Sequence, residues 1–227
     1  MNMQTKLTGE RTHIQIGDKQ YPDALRGIRN PPGDLYVIGS VDLLQNEGLA
    51  IIGPRRASRY GLECTTHFAN MTAEREVTLI SGGARGCNAA AISVCLAANG
   101  RVIVILGGGC DKVYPRENTA LFQEVIDSGG AIVSENAWDA EPLPSLFCAR
   151  NRMIAGLSKA VLIVEAGLPS GTFATADDAL SFGKEVWAIP GPITSMQSRG
   201  TNRLIYQGVT PIVDDDIFSD QMLAVFG

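Results

Sequence analysis

Arginines that follow glycine-rich turns are the residues of this 227-residue chain best placed to do chemistry. Gly53-Pro-Arg55-Arg56-Ala-Ser58, Ser81-Gly82-Gly-Ala-Arg85-Gly86 and Gly107-Gly-Gly109 each close a short run of Val, Ile and Leu, and Lys112 and Arg116 stand just beyond the third. A guanidinium is a planar fork of donors that grips phosphate bidentately. Backbone N–H groups at a helix start add partial positive charge, so Ser58 as an N-cap, with Arg55 alongside, predicts an anion cradle. Arg150-Asn151-Arg152 follows Phe147, and Ser170-Gly171-Thr172 makes one more turn. Cations that track a sugar-phosphate backbone, with Phe147 or Tyr114 as a stacking face, are the toolkit for single-stranded nucleic acid. Each residue also has a plainer reading: a solvated charge for an Arg, a tight connection for a glycine turn, a core side chain for Phe147. Recurrence of the pattern after successive strands favours one shared anion-binding rim.

Other chemistries find less support. No GxxxxGK[ST] loop occurs. Ser81-Gly-Gly83-Ala-Arg-Gly86 approaches a dinucleotide fingerprint, but serine replaces its first glycine. The acidic residue that should end the following strand is replaced by three glycines, which argues against a nicotinamide site. The only two histidines, His13 and His67, lie beside no nucleophile or second ligand. The reading is of no catalytic residue, no metal and no cofactor.

The elements that must carry these turns read as alternating strands and helices. Strands are predicted at 49–53, 77–81, 101–106, 131–134, 160–165, 185–189 and 209–213, as nearly continuous apolar runs suited to a parallel sheet covered on both faces. Helices are predicted at 60–75, 88–98, 117–128, 150–157, 172–182 and 199–207, with a further helix starting at Asp214-Asp-Asp216. The pattern is that of an α/β, doubly wound, mostly parallel sheet, in which ligands gather beyond the carboxyl ends of the strands. Residues 1–46, punctuated by Tyr21-Pro22 and Asn30-Pro-Pro-Gly33, read as an N-terminal extension packed on a core domain of residues 47–227.

Hydrophobic content of 45% excludes disorder. The longest apolar runs are strand length, too short to cross a bilayer, and Met1–Glu10 carries no apolar stretch that could serve for export. Five cysteines without a CxxC pair argue for reduced thiols in a cytoplasm. Net charge is −5, yet the basic residues are 14 Arg against 5 Lys, and binding follows the local field rather than the sum.

Taken in order, these motifs resemble the DNA-processing protein A family (DprA, also called Smf), from about Tyr21 to Val213. The resemblance is carried by Tyr21-Pro22, Pro31-Pro-Gly-Asp-Leu-Tyr36, Ile51-Ile-Gly-Pro-Arg-Arg-Ala-Ser58 and Ile80-Ser-Gly-Gly-Ala-Arg-Gly86. It continues through Leu106-Gly-Gly-Gly109, Val113-Tyr-Pro115, Phe147 with Arg150-Asn-Arg152, Ser170-Gly-Thr172 and Pro190-Gly-Pro192. It implies an extended Rossmann-like fold, usually a homodimer, that binds single-stranded DNA and helps to load the RecA recombinase during natural transformation. By position it implies Arg55 as a phosphate contact, Lys112 near a second basic contact, and Phe147 and Arg150 as stacking and backbone contacts. The implied DNA-binding set is Gly53, Arg55, Arg56, Ser58, Gly82, Arg85, Gly86, Lys112, Phe147, Arg150, Asn151, Arg152, Ser170, Gly171 and Thr172. Pro54, Cys87, Asn88 and Cys148 depart from the family pattern, and the expectation from the residues after Val213 is of no winged-helix domain such as many members carry.

Two rival readings stand beside this one. A nucleoside-monophosphate phosphoribohydrolase of the lysine-decarboxylase-like family would use a glutamate where this chain has Thr175, unless Glu165 substitutes. A sensor of small phosphorylated ligands would use the same rim as DNA.

Overall fold

The computed structural model describes residues 6–227, so the reading of the first ten residues falls half outside them. The chain folds into one nine-stranded sheet, ordered β1-β2-β6-β5-β4-β3-β7-β8-β9. Its strands are β1 (Arg11–Gln15), β2 (Asp34–Gly39), β3 (Gly48–Ile52), β4 (Leu79–Ser81), β5 (Val102–Ile105), β6 (Ala131–Ser134), β7 (Ser158–Ile163), β8 (Glu185–Ala188) and β9 (Thr210–Pro211). Strands β3 to β9 pair in parallel, whereas β1–β2 and β2–β6 pair antiparallel.

Every residue of β3, β5 and β6 is buried, because helices cover both faces of the sheet. Alternate side chains divide between two cores, as the two-residue strand period requires. Leu49, Ile51, Val102 and Val104 face α2 (Arg59–Glu74), α3 (Cys87–Ala97), α4 (Thr119–Asp127) and α9 (Asp215–Phe226). Ala50, Ile52, Ile103 and Ile105 face α1 (Asp23–Arg26), α6 (Asn151–Leu157), α7 (Thr172–Ser181) and α8 (Arg199–Tyr206). The doubly wound architecture is therefore present.

Local signals explain the helix starts. Ser58 Oγ accepts from the Gly61 N–H at 3.0 Å, and Asp214 caps α9 by accepting from the Ile217 N–H at 2.8 Å. The short helix α5 (Pro144–Ala149), absent from the sequence reading, begins with proline at its first position, where no N–H is needed.

The N-terminal segment is part of the sheet. It supplies β1 and β2, which continue the sheet past β6 across the expected boundary at 46. Five residues of mixed polarity, Arg-Thr-His-Ile-Gln, gave β1 no apolar run to betray it.

The two free edges are blunt. Strand β1 presents Arg11 and His13, and β9 is two residues long and ends in Pro211, which has no N–H to offer. Among the described residues, no helix is long and apolar enough to cross a membrane, and all five cysteines are free.

Candidate nucleic-acid interface

In a parallel sheet every strand delivers its following turn to the same edge. The turns at 53–58, 82–86, 107–118 and 164–171 accordingly share the carboxyl rim. Strand β3 is the crossover point, with β4 on one side and β7 on the other. The crevice between such diverging turns is where α/β proteins usually bind phosphate.

Here that crevice is filled by the chain itself. Glu165, only 1% exposed, accepts hydrogen bonds from the Ser58 N–H at 3.0 Å and from Ser58 Oγ at 2.5 Å. Gly61 leaves room for this carboxylate, since a Cβ there would strike it. The anion cradle expected at the start of α2 thus exists, but its anion is Glu165. The expectation that its N–H groups stand free is corrected: a buried carboxylate must find donors, and the helix start has them. Thr175, at the place of a hydrolase carboxylate, is 3% exposed and lies on α7.

The cationic site lies on the other side of β3, over β4 and β5. A narrow slot of about 20 Å³ is lined by Arg55, Gly82, Arg85, Tyr114, Phe147 and Arg150. Three turns and helix α5 therefore converge. Gly86, at φ +73°, is what lets the 53–58 and 82–86 turns touch, because a Cβ would run into the carbonyls of Pro54 and Arg55. Gly82 has the same role toward Arg150: a side chain there would occupy the guanidinium's place.

Arg150 is the unusual member. It is 5% exposed, its guanidinium donates to the Gly82 carbonyl at 3.1 Å, and its Nε has no partner. No carboxylate pairs with it among the described residues. Burial, with Arg55 beside it, brings its pKa down to about 10, so it remains charged at neutral pH. Arg55 is exposed, with its guanidinium carbon 5.8 Å from the centre of the Phe147 ring. Phe147 is half-buried against Gly107 and lies 5.3 Å from Tyr114, the two rings tilted by 56°. Arg85 at the outer lip is paired with Glu117, which holds its own carboxyl below the usual range through that contact.

The remaining candidates fall elsewhere. Lys112 forms an exposed ion pair with Glu141 at 2.6 Å and borders a second, wider cavity. Arg152 turns away: it donates to Glu135, to the Ala149 carbonyl at 2.6 Å and to the Asn30 carbonyl at 2.9 Å, bracing the N-terminal segment. Asn151 opens α6, Ser170 and Gly171 precede α7 beyond β7, and Thr172 is its first residue, all outside the slot lining. Gly53 packs against Cys87, Arg56 is exposed, and Ser58 is engaged with Glu165. Sequence reasoning missed Glu117 and Glu135 as counter-ions, because ion pairs between distant turns leave no local signal.

Residues 12–222 match the family described as DNA recombination-mediator protein A. Protein Smf of Escherichia coli strain K12 is 41% identical over 205 residues, which cover 90% of this chain and 55% of that protein. The chain spans about half the length of that relative and of the Synechocystis protein Smf. The structure of DNA processing protein A from Streptococcus pneumoniae superposes with a TM-score of 0.86 at 33% identity, covering 96% of this chain and 75% of that one. The protein of the same description from Helicobacter pylori superposes equally, at a TM-score of 0.86 and 30% identity, covering 96% of this chain and 98% of that one. A single-stranded DNA binding mode is described for the Helicobacter protein.

Proposed function

This chain belongs to the DNA recombination-mediator protein A family, and from that membership we propose that it binds single-stranded DNA in the slot between Arg55, Phe147 and Arg150 without cutting it. One observation carries the reading: Arg150 is a buried cation with no counter-ion among the described residues. Burying an unpaired charge is costly, and a phosphate supplies the missing partner. Arg55 at the mouth adds a second, solvent-facing fork, and Arg85 a third once Glu117 yields it. The rings of Phe147 and Tyr114 offer faces to the bases.

A binder is favoured over a phosphoribohydrolase by Glu165. Hydrogen-bonded to Ser58 and enclosed by Gly61, this carboxylate is committed to the α2 start and is not free to stabilise a sugar cation. Handing strands to RecA in recombination is part of the proposal, supported by the family description of a recombination mediator, and working as a homodimer in DNA uptake is proposed with it.

The test is a fluorescence-anisotropy titration with single- and double-stranded oligonucleotides and with AMP. Preference for the single strand, growing with its length, is expected. The logarithm of affinity should fall against log salt with a slope of about −0.7 per phosphate contact. Arg55→Ala should weaken every sequence alike and flatten that slope by about one contact. Equal affinity for mononucleotide and long strand, or release of adenine from AMP, would overturn the proposal.

A further inference from the structure

The slot is too small for a nucleotide. Its free volume of about 20 Å³ accommodates little more than one water, which needs roughly 10–15 Å³. A phosphate oxygen can enter it; a base cannot. Just across Tyr114, which lines both, lies a cavity of about 550 Å³ between the 111–123 segment and Glu141–Pro142. Tyr114 is 40% exposed, so the wall between the two spaces is an aromatic ring open to solvent.

Resting on the DNA-binding reading above, we propose that this cavity is the nucleobase site: phosphate sits in the Arg55–Arg150 slot while the adjoining base crosses Tyr114 and lies between Ala120 and Pro142. Of the charged groups lining the cavity, Arg116 alone has no ion-pair partner among the described residues, so one donor fork stands beside an apolar wall. The cavity's three carboxylates are each answered by a cation: Asp111 by Arg11 and Lys6, Glu117 by Arg85, and Glu141 by Lys112. What the ion pairs leave for a ligand besides Arg116 is the apolar wall made by Val113, Tyr114, Ala120 and Pro142, since Thr119 already donates to the Arg116 carbonyl and Gln123 is bonded to Thr8 and Asp127. A planar ring with apolar faces and a polar edge matches that lining. Arg116 is the one unpaired guanidinium in that lining among the described residues, and the rest of the wall offers stacking area, which predicts broad tolerance of the four bases.

The experiment compares a thymidine oligonucleotide with a strand of equal length whose sugars carry no bases. Both are titrated against the wild type, Ala120→Trp and Arg55→Ala. Ala120 is exposed on α4, so the indole fills the cavity without disturbing the core; Tyr114→Ala, at an exposed site, is the second probe. The wild type should bind the baseless strand on the order of tenfold more weakly. Ala120→Trp and Tyr114→Ala should each lose about that factor for the thymidine strand and nothing for the baseless one. Arg55→Ala should weaken both strands. Equal wild-type affinity for the two strands, or an Ala120→Trp protein unchanged toward thymidine, would overturn the cavity assignment while leaving the slot intact. Arg55→Ala without effect on either strand would instead overturn the slot.

Discussion

The guanidinium of Arg150 is buried without a carboxylate partner among the described residues, and the phosphate contact proposed above would recover its cost to the fold. In the free protein its charge is desolvated against Gly82 with one N–H unpartnered. Arg150→Met keeps the apolar stem and removes the charge. It should raise the stability of the free protein by on the order of 1 kcal/mol, or about 2–4 °C in melting temperature. Single-stranded DNA should raise the melting temperature of the wild type, and the same variant should lose that shift. Differential scanning fluorimetry reads both effects, and a variant that melts lower and still responds to DNA would contradict the account. The thiols offer a second probe. Burial pushes Cys87 up to about 11, and Cys95 and Cys110 up to about 12, whereas Cys148 is exposed beside Phe147. Iodoacetamide at neutral pH should therefore label Cys148 first, and bound DNA should slow that labelling. Mass spectrometry after timed quenching identifies the site.

Among the elements, strands and glycine turns were the most legible, because a parallel sheet writes itself as apolar runs punctuated by turns. Strand β6 matches its expected bounds of 131–134, and β3, β5 and β8 differ by a residue or two. The convergence of Arg55, Arg85, Phe147 and Arg150 on one slot was likewise foreseeable, since each follows a strand of the same direction. Helix α5 escaped notice because its six residues span too few turns to show a period, and β1 because its side chains alternate weakly. The joining of β3 and β7 through Glu165 and Ser58 was invisible for a different reason: it links residues 107 apart. It can be tested. Glu165→Ala strands the Ser58 donors and should cost on the order of 2 kcal/mol by urea unfolding. Because Ser58 ends the turn that carries Arg55, DNA affinity should fall as well, and millimolar formate, which restores a carboxylate to the cavity, should recover part of both losses. Affinity unmoved in Glu165→Ala would show that the turn holds Arg55 without this tie.

On the scale of the whole molecule, the N-terminal segment is bound into the fold by β1, β2 and the Arg152 brace. Arg152 and Glu135 are 19% and 17% exposed, and the same guanidinium reaches the Asn30 carbonyl. Arg152→Ala should lower stability by on the order of 2–3 kcal/mol, since it leaves Glu135 half-buried and alone. The salt slope of DNA binding should stay unchanged, as its charge points away from the slot. A flattened slope in that variant would return Arg152 to the interface. The blunted sheet edges carry a last consequence. A protein that gathers in numbers on one polymer holds its copies at high local concentration, where open strands would zip neighbours into aggregates. With Arg11 on β1 and proline closing β9, copies of this chain lying side by side on the strand proposed above would not pair backbone to backbone.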